Sequence, residues 1–211
     1  MSKTTSAFVG MHLRAKNIRR WPLMACFKDE LLSTHIYETA IVGHLLGTIA
    51  RDMYKENIHP DRVCALATFH EGAESAGFGD MPSPVKYRHP NATRAFKALE
   101  REFEQSLIDA LPEPLKQTYT PLIQQDKTDP HVLLAKAADV LCALIKCQYE
   151  VEKQNNEFGD ALKQLQKQVD TYRQTLPAVR YFCEVFLPCA NSTLDQQAQH
   201  DNWVENAAEL A

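Results

Sequence analysis

The strongest constraint on this chain is a shortage of glycine set against long apolar stripes of helical period. Only seven glycines occur in 211 residues, and three of them, Gly72, Gly77 and Gly79, fall in one short stretch. Val63, Leu66, Ala67 and His70 recur at i, i+3, i+4 and i+7, which is one face of a helix. No alternating strand pattern of useful length, no repeat and no low-complexity segment interrupts this. The chain therefore reads as all-α, one helical domain over residues 1–190 followed by a polar tail over 191–211.

The punctuation places the helices. A first helix is expected over residues 6–18, with Phe8, Val9 and Leu13 inward and Met11 as a further candidate. Pro22 confines Trp21 to extended backbone, so residues 19–24 read as a loop. Ser33 or Thr34 can cap a second helix reaching residue 54, with Ile36, Ala40, Ile41, Leu45, Leu46 and Ile49 buried, His35 in its first turn and His44 near the inward face. Pro60 and Asp61 open a third helix through residue 76. There His70 points to the core, Glu71 lies about 100° round from it, and Glu74 is one turn further on the His70 face. Two Pro and two Gly make residues 77–87 a loop. A fourth helix covers 92–111 with Phe96, Leu99, Phe103, Leu107 and Ala110 as its stripe, and Pro112, Pro114 and Pro121 break the next stretch into short turns. Asp129-Pro130 is an N-cap followed by an N1 proline and opens a helix to residue 153. Its stripe is Leu133, Lys136, Val140, Ala143 and Cys147, with Asp139 beside it and able to turn inward. Helices over 159–173 and 177–186 close the bundle.

Composition excludes several classes. A net charge of −4 argues against a nucleic-acid polymer as partner, since such binders cluster Lys and Arg. No apolar stretch approaches the roughly 20 residues that cross a bilayer, and the first residues lack a signal-peptide core, so no membrane partner is expected. Six cysteines without a Cys-x-x-Cys pair, most of them in apolar helical runs, read as reduced core thiols of a cytoplasmic protein.

Within this frame the sequence offers a metal-site pattern. His35, His70-Glu71 and Asp139 lie on three different helical segments and together supply two nitrogens and two oxygens. Such a set suits one divalent cation of the Zn, Co, Ni, Mn or Mg kind. Glu74 is placed to act as general acid or base, and Asp80 to orient a nucleophile or a leaving group. Arg20 can grip a phosphate, Trp21 can pack on a flat base or sugar, and Lys86 is a second anion contact. Taken singly, each has a plainer role: a hydrogen-bonded core histidine, a helix-end glutamate, a surface cation–π pair at Arg20-Trp21.

The strings Ile18-Arg19-Arg20-Trp21-Pro22-Leu23-Met24, Ser33-Thr34-His35, Phe69-His70-Glu71-Gly72-Ala73-Glu74, Gly79-Asp80-Met81-Pro82-Ser83-Pro84-Val85-Lys86-Tyr87, Lys136-Ala137-Ala138-Asp139 and Asn155-Asn156-Glu157-Phe158 occur in that order. Together they resemble the bacterial 5′-deoxynucleotidase branch of the HD-domain phosphohydrolase superfamily, over roughly residues 8–190. The resemblance implies an all-α HD-domain helical bundle, a homodimer, and release of the 5′-phosphate from nucleoside monophosphates with a divalent cation. It implies His35, His70, Glu71 and Asp139 as metal ligands and Glu74 as the catalytic carboxylate. Arg20 and Trp21 would contact substrate, with Asp80 near the phosphate or nucleophile. Two positions depart from the family pattern. Glu71 stands where the signature has Asp, which lengthens the carboxylate by about 1.3 Å, so backbone or rotamer must adjust or the ligand is lost. Thr34 stands where an acid usually precedes the first histidine. The competing expectation is a catalytically weak or inactive HD domain acting as a nucleotide- or protein-binding module.

Overall fold

The computed structural model describes residues 5–200, which fold into helices. The α-helices are α1 (Phe8–His12), α2 (Leu32–Asp52), α3 (Pro60–Phe69), α4 (Ser83–Lys86), α5 (Pro90–Ala110), α6 (Glu113–Ile123), α7 (Pro130–Glu152), α8 (Gly159–Thr175), α9 (Pro177–Val185) and α10 (Leu194–His200). A 3-10 turn, Leu13–Asn17, extends α1, and a π-helical segment, Glu74–Phe78, lies beyond α3. No strand occurs among the described residues; Arg19 and Leu31 meet in one isolated antiparallel bridge.

The centre of the bundle is α7. The Asp129 side chain accepts the His131 backbone N–H at 2.8 Å, and Pro130 occupies the first turn, where its missing N–H costs nothing. Leu134, Ala137, Ala138, Leu141, Leu144 and Cys147 are buried along its length. Helices α2, α3 and α8 pack on it, and α9 closes against α8 and α2. Each fully buried leucine there contributes roughly 1.5–3 kcal/mol. Helices α2 and α3 approach closely because Gly47 lacks a side chain: a Cβ there would stand 2.9 Å from the Pro60 Cα. A second cluster joins Phe8, Ala76, Leu107, Ile108, Leu111 and Ile123, tying α1, the π segment, α5 and α6 together.

Several sequence expectations need correction. The first helix is one and a half turns plus the 3-10 turn, and Val9 and Leu13 face solvent. Helix α2 starts at Leu32 with no side-chain cap, and both Ile41 and His44 are exposed. Of the expected α7 stripe, Val140, Ala143 and Cys147 are buried, whereas Leu133 and Lys136 are exposed, and the buried face also takes in Leu134, Ala138 and Leu141. Pro112–Pro121 is no series of turns but α6, with Pro114 in its first turn and Pro121 tolerated inside. The 77–87 loop contains the end of the π segment and the one-turn α4. All six cysteines are free, but only Cys142 and Cys147 are buried, where desolvation pushes both thiols up to about 12. The 191–211 tail begins with α10, and its remainder lies outside the described residues.

Candidate metal centre and active site

Four side chains from three segments converge. His35, fully buried, comes from the first turn of α2; Asp139, buried, from the middle of α7; His70 and Glu71 from the turn that ends α3. His35 Nε2 lies 3.0 Å from Asp139 Oδ1 and 3.3 Å from His70 Nε2. His70 Nε2 lies 3.4 Å from Glu71 Oε1 and 3.7 Å from Asp139 Oδ1. One ligand atom from each of the four lies within 4.8 Å of all the others.

Helix α3 ends at Phe69, and His70 and Glu71 follow as a turn in which His70 keeps α-helical backbone angles. Beyond it, the Gly79 N–H bonds the Glu74 carbonyl at 3.1 Å, the i to i+5 spacing of a π-helix. Such segments concentrate at functional sites because they re-aim side chains. Gly77 in this segment leaves room for the Phe103 ring, which would stand 2.2 Å from a Cβ there. His70 Nε2 and Glu71 Oε1 face one point, and the Glu71 carboxylate reaches the cluster with its extra methylene.

The residues present fit a divalent cation. His70 Nδ1 donates to the Ala67 carbonyl at 2.6 Å, which leaves Nε2, the atom aimed at the cluster, as the nitrogen a cation would take in the neutral ring. Burial, with Arg20 nearby, pushes His35 down to about 3, so its imidazole is neutral. Burial opposes the Asp139 charge, but Lys136, His35 and His70 outweigh it and hold the carboxyl well below its usual range. Cation–ligand bonds of about 2.1 Å set neighbouring donor atoms roughly 3.0–3.4 Å apart, close to the spacings above. A shared proton satisfies one pair of these atoms; a cation satisfies all four.

Glu74 stands beside the cluster, 7% exposed, with Oε2 lacking any hydrogen-bond partner. Burial first, then the charges of Glu71 and Asp80, push its carboxyl up to about 10. With His70, Glu71, Lys86 and Lys136 it lines a cavity of about 460 Å³. Lys86 is ion-paired with Glu100 on the cavity wall, and Lys136 pairs with Asp139 Oδ2.

Arg20, Trp21 and Asp80 line no part of that cavity. They form an adjoining group in which Asp80 Oδ2 accepts the Trp21 backbone N–H at 2.7 Å. Trp21 is not extended, as Pro22 suggested, but left-handed at φ 57°, a strained conformation for a bulky residue. Arg20 stacks over the Trp21 ring, 5.6 Å from its centroid, yet it is buried and so is no surface cation–π pair. Sequence reasoning missed three members: Glu30, which holds both residues, Glu100, and Lys136 as the partner of Asp139. Only Lys136 carried a signal, since it precedes Asp139 by three residues on one helix.

A family model described as 5′-deoxynucleotidase YfbR-like matches residues 7–190. The chain belongs to the YfbR-like family. A 5′-deoxynucleotidase of Photobacterium profundum is 37% identical to this YfbR-like chain over 188 residues, 88% of this chain and 95% of that protein. The 5′-deoxynucleotidase YfbR of Escherichia coli is 36% identical over 187 residues, covering 88% and 92%. Among solved structures, an HD-domain phosphohydrolase from Listeria innocua superposes with TM-score 0.75 at 19% identity, covering 96% and 97%. A cyanophage S-2L HD phosphohydrolase bound to dA and one catalytic Zn²⁺ gives TM-score 0.58 at 15% identity, covering 89% and 98%. The YfbR-like chain therefore has the all-α HD fold expected from its sequence.

Proposed function

We propose that the chain is a metal-dependent phosphohydrolase that removes the 5′-phosphate of deoxynucleoside monophosphates. The observation that carries this is the convergence of His35, His70, Glu71 and Asp139 with the unpartnered Glu74 carboxyl beside them on one cavity wall. The names of the relatives and the dA and Zn²⁺ of the cyanophage neighbour support the substrate class and the cation.

In this reading the four ligands hold one divalent cation, which when bound polarises a phosphoryl oxygen and acidifies water. With the carboxylate charges that, after burial, raise Glu74 offset by a cation there, its carboxylate is free to take the proton of the attacking water as the new P–O bond forms. It returns that proton to the 5′-oxygen as the old P–O bond breaks, leaving nucleoside and inorganic phosphate. Lys86 and Lys136 offset the phosphate charge from the cavity wall. Arg20 and Trp21 take the nucleoside side of the substrate, and Asp80 acts through the Trp21 backbone it holds. The homodimer and the cytoplasmic location belong to the same proposal; no helix among the described residues is long and apolar enough to cross a membrane.

The test is phosphate release from 2′-deoxyadenosine 5′-monophosphate by chelator-treated protein resupplied with Zn²⁺, Co²⁺, Mn²⁺, Ni²⁺ or Mg²⁺ one at a time. Turnover with at least one cation, absent in the chelated protein, is the expected result. Stoichiometric metal uptake without turnover on any deoxynucleoside monophosphate would leave only the binding-module reading.

A further inference from the structure

We propose that Glu30 is a positioning residue that fixes Arg20 and Trp21 in one arrangement before a nucleotide arrives. The proposal takes its substrate from the reading above. Glu30 is 6% exposed, and its side chain has two partners. Its Oε2 accepts the Trp21 indole N–H at 2.9 Å and meets the Arg20 guanidinium at 3.3 Å. The Glu30 main-chain carbonyl accepts the Arg20 N–H at 2.9 Å, next to the Arg19–Leu31 bridge. One carboxylate thus fixes a cation and an indole that also stack on each other.

Trp21 depends on such holding. Its left-handed backbone is kept by Asp80, and its ring meets Phe158 edge-on at 5.4 Å between centroids. Glu30 supplies the constraint on the indole N–H and is the group that touches both residues. It is itself well moored. The buried Glu150 accepts the Phe27 and Lys28 N–H groups at 2.7 and 3.2 Å, and Asn155 donates to the Ala25 carbonyl at 2.7 Å. The chain just ahead of Glu30 is therefore tied to the end of α7. Arg20 is buried and sits within reach of the charges of Glu71, Asp80 and Asp139 as well. Glu30 decides which carboxylate it pairs with.

The test uses the full chain carrying Trp203→Phe, so that Trp21 is the sole indole, since the chain has two tryptophans. Glu30→Ala and Glu30→Gln are compared with the parent for Trp21 emission, acrylamide quenching, metal stoichiometry, and kcat and KM on 2′-deoxyadenosine 5′-monophosphate. In Glu30→Ala the emission shifts red, quenching rises, and KM rises about tenfold or more, with kcat changing far less and metal stoichiometry unchanged. Glu30→Gln keeps an acceptor for the indole, so emission is restored, while KM recovers only in part because the ionic hold on Arg20 is gone. Unchanged emission and KM in Glu30→Ala overturn the proposal, as does a parallel loss of kcat and metal in both variants. If Glu30→Ala does not fold, a KM for Glu30→Gln equal to the parent's overturns it. If the parent itself releases no phosphate, the functional reading fails, while emission and quenching still decide the role of Glu30.

Discussion

His70 Nε2 faces His35 Nε2 at 3.3 Å across the gap between α2 and the turn that ends α3. His70 has its Nδ1 proton on the Ala67 carbonyl, and the buried His35 is neutral, so both rings offer the same edge to one point. Saturating divalent cation is therefore expected to raise the melting temperature, equivalent to about 2.7 kcal/mol at a hundredfold excess over Kd. In Asp139→Asn, close in shape but uncharged, the metal-dependent shift disappears. Thermal melts with and without cation check this.

The Glu71 side chain carries its carboxylate to the cluster, with Oε1 3.4 Å from His70 Nε2. Shortening it in Glu71→Asp withdraws the oxygen by about 1.3 Å, several times the tolerance of a metal bond. Metal affinity is expected to fall about tenfold or more, read by competition with a chromogenic chelator. A rise in affinity would mean that the site does not accommodate the longer side chain.

Glu74 has an unpartnered oxygen beside the cluster and is not among its four converging residues. Glu74→Gln preserves shape and removes proton transfer. We expect kcat to drop about 10²–10⁴-fold while metal stoichiometry holds, measured by steady-state kinetics and metal analysis on the same preparation.

Glu150 gives a pH dependence away from the metal. Burial opposes its charge, but Lys146, the Phe27 N–H, Asn155 and the Lys28 N–H outweigh it and hold the carboxyl at about 2. A depressed folded-state pKa adds stability above the unfolded value, and that stability fades as pH falls toward the folded one. The contribution is about 3 kcal/mol, full above about pH 5 and lost toward pH 2. Urea unfolding as a function of pH is expected to show a steeper acid limb for the parent than for Glu150→Gln.

The Asp129-Pro130 start, the helix-only content and the approximate place of each long helix were legible in the sequence, because caps, prolines and 3.6-residue periodicity act locally. The convergence of His35, His70, Glu71 and Asp139 was legible as a candidate set only through their order along the chain. The exposure of Leu133 and Lys136 on α7, and of Val9, Leu13, Ile41 and His44, was not. Apolar and amphipathic residues fit either face of a helix until a neighbour covers one. Glu30 gave no signal at all, since an acid in a polar loop looks the same whether or not an indole and a guanidinium close over it.

By itself, the sequence determined an all-helical chain carrying two histidines and two carboxylates of metal-binding character, because residue chemistry and local periodicity are properties of the chain alone. Tertiary structure alone decided that His70 and Glu71 meet His35 and Asp139 at one point. It alone set Glu30 against Arg20 and Trp21. Register breaks and buried charge pairs depend on which surfaces meet: Phe103 fills the space at Gly77, and α7 anchors the segment ahead of Glu30.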